Sequence, residues 1–337
     1  HIQSIIPKPD TEATLDLLKE AENLCFSYGL TGVSDAGLDN TMLNMMDSAL
    51  REGWLKIHIY AMAEPTFENI ELIITKGPYR HDRFHICSVK LYADGSLGSR
   101  TALLKQPYSD DPSKSGIQVS SPDSLREICE LAYANNFQVN VHCIGDKAVR
   151  EVLDIYGEFL KGKNDLRWRI EHAQVVDPAD LVLFHKYSVI PSVQATHATS
   201  DMYWADDRLG PVRIKWAYAY QDLLKQNGWL PNGTDFPIER VDPLLTFYAA
   251  VARKDLSGYP PGGFQIENAL TREEALRSMT IWAAKANFED EEYGSLEPGK
   301  WADFVMLDKD IMEIPMEEVP EVNVLQTWSR GKTVYLK

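Results

Sequence analysis

The sequence predicts an α/β fold, a TIM-like (β/α)8 barrel, on three observations. Four short apolar segments each carry one metal-capable or acid-base residue near their end: Ser88 to Gly95 with Lys90, Val139 to Asp146 with His142, Arg169 to Gln174 with His172, and Asn232 to Pro237 with Asp235. Stretches with apolar residues three or four apart separate these segments, as helices between strands would. The intervals from Lys90 to His142, to His172 and to Asp235 amount to about one βα unit, one unit and two. In a parallel barrel every strand delivers its last residue to the same rim, so side chains remote in sequence meet there. The double interval calls for a further strand, and Ser188 to Gln194 supplies it.

Each element has its own justification. Asp10 or Thr11 is placed to cap a first helix, whose Leu15, Leu17, Leu18, Ala21, Leu24 and Cys25 keep helical spacing before Gly29 ends it. Leu30 to Gly37 and Trp54 to Ala63 read as strands. After the Lys90 strand come helices around 124–135, 146–161 and 216–228. The pattern Val149, Val152, Leu153, Tyr156, Leu160 is the clearest of these. Alternation of strand and helix means a parallel sheet, and the single hand of its crossovers favours closure. Thr271 with Glu274 forms a capping-box pattern that opens a last helix running to Ala286. Gly294 to Leu307 and Val322 to Leu336 alternate like strands and turns.

A chain of 337 residues with 44% hydrophobic and 25% charged residues has the composition of a globular protein with a large core. Its net charge of −16 is spread along the chain, which argues against nucleic acid or an anionic membrane as partner and for a small neutral or cationic substrate. Cys25, Cys87, Cys129 and Cys143 have neither paired metal spacing nor the density of a disulfide scaffold, so they read as reduced and structural. There is no apolar run of about 18 residues to span a membrane. A cytoplasmic location is expected unless an upstream leader directs the chain elsewhere.

The ordered set of strand ends, the phrase Val89 to Arg100 and the phrase Gly294 to Val305 resemble the amidohydrolase superfamily of metal-dependent hydrolases. Within it they are most similar to the amidohydrolase-3 branch of YtcJ-like proteins and N-substituted formamide deformylases. The resemblance implies that Lys90, His142, His172 and Asp235 ligate metal, with Asp235 also the general base. It implies that the strand-four lysine, Lys90, takes up carbon dioxide to become a carbamate. Nitrogen ligands favour zinc as the divalent metal, and a carbamate oxygen also admits manganese or iron. The family's first barrel strand ends in His-x-His, and His1, His58, His81, His85, His142, His172, His185 and His197 provide no such pair.

By that analogy, strands two to eight lie in this sequence and the first strand does not. Residues 1–290 are then a barrel missing one strand, and residues 291–337 are part of a small β-sandwich. The strands carrying Val33 and Asp235 would have unpaired edges, to be covered by a separate N-terminal segment or a second copy of the chain.

On residue grounds, His142 shares a strand face with Gln138 and Asn140, while Phe137, Val139 and Val141 face the other way. That polar face suits a ligand held by neighbours. Lys90 interrupts an apolar strand, which is costly for an ammonium group unless an ion pair or chemistry compensates. Glu171 is expected to face away from His172, into packing or an ion pair. Asp94, Ser96 and Arg100 follow the Lys90 strand, and His197, Asp201, Trp204 and Arg208 lie beyond the seventh strand. These are the candidate substrate-binding groups, with loop scaffolding as their alternative. No phosphate loop or serine elbow competes. The expected function is hydrolysis of a nonpeptide carbon-nitrogen bond in a small molecule. The alternative is a noncatalytic fragment or binding protein that keeps the fold.

Overall fold

The computed structural model of the chain describes residues 10–337. In chain order the elements are α1 (Thr11–Ser27), β1 (Gly32–Leu38), α2 (Asn40–Arg51), β2 (His58–Ala63), α3 (Phe67–Lys76), β3 (Tyr79–His81), β4 (Phe84–Tyr92), α4 (Pro122–Ala134), β5 (Gln138–Cys143) and α5 (Asp146–Leu160). They continue with β6 (Arg169–His172), α6 (Leu181–Tyr187), β7 (Ile190–Ser192), α7 (Ala195–Asp201), α8 (Ala205–Arg213), α9 (Tyr220–Asn227), α10 (Pro243–Ala252), α11 (Arg272–Met279), α12 (Ile281–Ala286), β8 (Phe304–Leu307), β9 (Val324–Ser329) and β10 (Lys332–Leu336).

The parallel strands lie in the order β1-β2-β4-β5-β6-β7, and β3 adds antiparallel to β4. This is a curved α/β sheet with helices packed on its outer face. The segment before Asp235, expected as a strand, contributes only a parallel bridge between Val193 and Asn232. Two things account for this: Asn232 N–H donates to the distant Ser278 O, not into the ladder, and Asp235 has a φ of 56° that extended strands do not allow. The strand expected from Trp54 begins at His58 instead. The helix expected to run unbroken to Ala286 is divided at Thr280, whose φ of −124° and ψ of −100° are not helical.

Alternation along β5 explains how the sheet divides inside from outside. Val139 and Val141 are fully buried under the helices, each such side chain stabilising by roughly 1.5–3 kcal/mol. Val149, Val152, Leu153 and Tyr156 on α5 meet them, and the Tyr156 hydroxyl donates to Val139 O at 3.1 Å. Trp168 closes this layer, its Nε1 donating to Phe137 O at 3.0 Å. The helix starts follow the sequence chemistry: Asp10 accepts from Ala13 N, Ser121 accepts from Ser124 N ahead of Pro122, and Thr271 and Glu274 complete a capping box.

Strands β8, β9 and β10 form a separate antiparallel sheet in the order β10-β9-β8. Helix α1 covers it, with Thr327 Oγ donating to Phe26 O at 2.7 Å, so this unit is not built from the C-terminal residues alone. Its junction with the larger sheet is aromatic: the His58 ring clusters with those of Trp301 at 4.7 Å and Tyr293 at 5.2 Å, which are 5.8 Å from each other, and His58 Nε2 lies 2.9 Å from Asp303. All four cysteines are free and buried. Among the described residues no helix is long and apolar enough to cross a membrane.

Candidate metal centre

The residues facing the concave side of the sheet are polar, and their alternation brings them to one end. Gln138, Asn140 and His142 share that face of β5, with Lys90 paired in register to Asn140 on β4. On β6 the alternation is broken on purpose of geometry: His172 has φ 76° and Ala173 φ 42°, both in the left-handed region that few side chains adopt. The turn swings the His172 imidazole beside that of His142, with ring centroids 4.5 Å apart at 73°. His172 Nδ1 donates to Gln194 Oε1 at 2.8 Å, which leaves Nε2 with its lone pair outward.

Opposite stands His197 on α7, its ring 5.9 Å from that of His172 and its Nε2 3.5 Å from Asp235 Oδ2. His172, His197 and Asp235 each present a ligand atom within 4.8 Å of the others. His197 Nε2 is buried and has no hydrogen-bond partner, which is the condition of a donor atom awaiting an acceptor of its lone pair. Burial holds the His142 and His197 pKa values down at about 4 and that of His172 well below the ordinary value. All three imidazoles are therefore neutral at pH 7 and able to ligate. Burial, with the Glu171 charge adding to it, pushes Asp235 up to about 6. Two neutral imidazoles and a carboxylate are a donor set that fits a divalent cation.

Lys90 lies next to this trio. Its ammonium sits 3.7 Å from the centre of the Tyr92 ring, and that ring is 5.7 Å from His142. Burial lowers the Lys90 pKa to about 8 against the opposing pull of Glu171. Glu171 does not face away as the sequence suggested. It follows Arg169 by two positions on the concave face, 3.7 Å from the Arg169 guanidinium, and its Oε1 is buried without a hydrogen-bond partner. The ion pair was foreseen and its direction was not, because the positive φ of His172 puts two neighbours on one side.

The other candidates have definite places. Asp94 is buried and accepts from the backbone N–H groups of Leu103 at 2.8 Å, Ile144 at 3.0 Å and Gly145 at 2.8 Å, so it ties the loop after β4 to the turn after β5. His142 Nε2 lies 3.2 Å from Gly95 O in that same loop. Arg100 makes a two-point pair with Asp110 at 3.0 and 2.7 Å, and Arg208 of α8 shares that carboxylate. The Arg208 guanidinium also lies 5.5 Å from the Trp204 ring, which packs so closely on Gly98 that an added Cβ would meet it at 3.2 Å. Ser96 joins Ser99 in a hydroxyl pair at 2.7 Å, and Asp201 accepts from the Tyr218 hydroxyl at 2.7 Å. Gln194 and Asp110 were not singled out in the sequence. Gln194 carried a signal, as the polar residue ending the seventh predicted strand.

The sequence matches the amidohydrolase family over residues 2–335. The chain belongs to the amidohydrolase family. The chain is 31% identical to YtcJ of Bacillus subtilis, over 100% of its own length and 64% of that protein's. It is 23% identical to the N-substituted formamide deformylase of Arthrobacter pascens, over 97% of this chain and 61% of the relative. A crystal structure of an uncharacterized metal-dependent hydrolase from Pyrococcus horikoshii OT3 superposes with a TM-score of 0.83 at 35% identity, covering 91% of this amidohydrolase and 62% of that chain. The fold is thus that of metal-dependent hydrolases, in the YtcJ-like branch. The chain spans less than two thirds of the length of each of these proteins.

Proposed function

We propose that this amidohydrolase hydrolyses a carbon-nitrogen bond, other than a peptide bond, in a small molecule with the help of a divalent metal. The observation that carries this reading is the meeting of His172, His197 and Asp235 beside His142, with an orphaned imidazole nitrogen turned toward a carboxylate. The name of the formamide deformylase relative supports an N-substituted amide as the substrate class. His172, His197 and Asp235 are the residues that would hold the metal, with His142 beside them as a further candidate, and zinc suits such a nitrogen and oxygen set. Lys90 is the further ligand once carboxylated: its neutral amine attacks carbon dioxide, a nitrogen-carbon bond forms and one proton leaves. With a pKa lowered to about 8, a usable share of the amine is neutral near pH 7.

A bound divalent cation supplies Lewis acidity toward the amide carbonyl and acidifies the attacking water. Asp235 supplies the proton transfers. Its raised pKa of about 6 keeps it ionised at neutral pH yet basic enough to take a proton from water and return it to the leaving nitrogen. Burial of the imidazoles keeps competing protons off the ligand nitrogens. Lining groups such as Trp204, held against Gly98, and the Arg100–Asp110–Arg208 cluster shape the approach.

The deciding experiment measures metal content after purification and screens hydrolysis of small N-substituted amides with and without added zinc. Metal at or near one per chain and hydrolysis that Asp235→Asn cuts by about 10²–10⁴-fold are expected. A chain that holds no metal and hydrolyses nothing when zinc is supplied is a binding protein on this fold, and the proposal fails.

A further inference from the structure

Opposite the metal centre, at the end where the parallel strands begin, a cavity of about 240 Å³ is lined by Lys163, Asn164, Arg167, Ser188, Trp229 and Lys285, among others. Three cations meet there in a chain whose net charge is −16. Arg167 is already neutralised, by Asp165 at 2.8 Å and Asp290 at 3.0 Å. The two lysines are not. Lys163 lies 3.2 Å from His185 Nδ1, but that nitrogen gives its proton to Gln226 O at 2.6 Å and so repels a second donor. Lys285 has only the Trp229 ring beneath it, 4.3 Å from the ring centre, and no carboxylate within ion-pair distance among the described residues.

The neutral lining groups are donors as well. Ser188 Oγ accepts from Asn164 N at 3.3 Å, which leaves its own proton to give. Asn164 Oδ1 is occupied by Leu166 N at 2.9 Å, and its amide nitrogen donates to Gly162 and Tyr187 carbonyls. Two lysines without a carboxylate partner and a hydroxyl proton therefore line one space, and its own lining carboxylate, Asp165, is taken up by Arg167. The complement is a group with several acceptor oxygens and a negative charge.

We propose that this cavity binds a small oxyanion, a carboxylate or a phosphate, independently of the reaction at the opposite end. Its volume is several times the roughly 30 Å³ share of one water and below the roughly 300–1,000 Å³ of pockets for larger ligands, so the guest is small. Bound there, it ties Lys163 in the loop after α5 to Ser188 before β7 and to Lys285 in α12. It binds the folded chain alone and so raises the unfolding midpoint by mass action.

The test is calorimetric titration, with thermal midpoints in parallel, of the metal-loaded chain with inorganic phosphate and with succinate. Chloride at matched ionic strength is the reference. Saturable binding is expected, weakened about tenfold in Lys285→Met, largely restored in Lys285→Arg, and unchanged in Lys332→Met on the distant small sheet. Saturation by phosphate alone assigns a phosphate ligand, and by succinate alone a carboxylate. Lys163→Met gives the same reading from an exposed position if Lys285→Met folds poorly. An absence of saturable binding overturns the proposal. So does binding that neither lysine variant changes, which is how an oxyanion at a metal in the opposite end behaves.

Discussion

Gln194 stands in a place where it would influence metal uptake without being a ligand. Its carbonyl oxygen accepts from His172 Nδ1 and thereby fixes which nitrogen faces the cation. Gln194→Ala is expected to weaken zinc binding by roughly 10–100-fold, read by competition with a chromogenic chelator, while the unfolding midpoint stays close to that of the parent. Unchanged affinity would mean that the His172 ring is oriented by packing alone. Between the imidazoles and the carboxylate of the cluster, Asp235 sets the pH dependence. His142 and His197 shed their protons by about pH 4, whereas Asp235 keeps its proton up to about pH 6. A proton on Asp235 competes with the cation, so zinc affinity is expected to rise as pH passes upward through about 6 and to lose that step in Asp235→Asn. A midpoint near 4 would transfer control to the histidines. Two members of the His172–His197–Asp235 cluster were legible in sequence, His172 at the end of a strand and Asp235 at the end of an apolar segment. The place of His197 beside Asp235 was not legible, because a helix beyond β7 sets it. Nor was the direction of Glu171, because a two-residue period cannot announce the positive φ of the residue after it.

Elements show the same division between what a local pattern states and what tertiary contacts decide. Helix α5 was readable to within a residue or so, since its buried positions repeat at helical spacing. The expected strand at Asp235 shrank to one bridge, because the contacts of Asn232 with Ser278 lie outside any local pattern. Strand β3 is three residues long and has no periodicity to find. Gly145, at the start of α5, offers a prediction at this scale. Its φ of −81° suits any residue, but an added Cβ would lie 2.0 Å from Leu103 O. Gly145→Ala therefore has to push the loop after β4 away from the turn after β5. A loss of about 1–3 kcal/mol in denaturant unfolding is expected, the range of overpacked sites. A neutral result would show that the loop shifts freely.

Among the described residues, β1 lies at the rim of the parallel sheet, paired on one side with β2. Ser34 and Ala36 on that strand are exposed. A strand rim with free N–H and C=O groups is a template for another strand. Sedimentation velocity is expected to show association that grows with concentration and that Ala36→Pro, which removes one N–H donor, reduces. Monomer at every concentration would show that this rim is covered by other means. The parallel α/β sheet was legible because every strand end pointed the same way, and the edge at the strand carrying Val33 was expected. The other edge was expected at Asp235 and falls at β7 instead, because it depends on which strands find partners.

Asp94 and Asp110, both in the loop after β4, leave different marks on descent. Asp94 holds backbone N–H groups, which almost any residue at 103, 144 or 145 still supplies, so its neighbours are free to drift while Asp94 itself stays fixed. Asp110 holds two side chains, Arg100 and Arg208, so its loss leaves both arginines without their carboxylate. Among descendants of this chain, Asp94 is expected to persist amid changing surroundings, whereas Asp110, Arg100 and Arg208 are inherited or abandoned together.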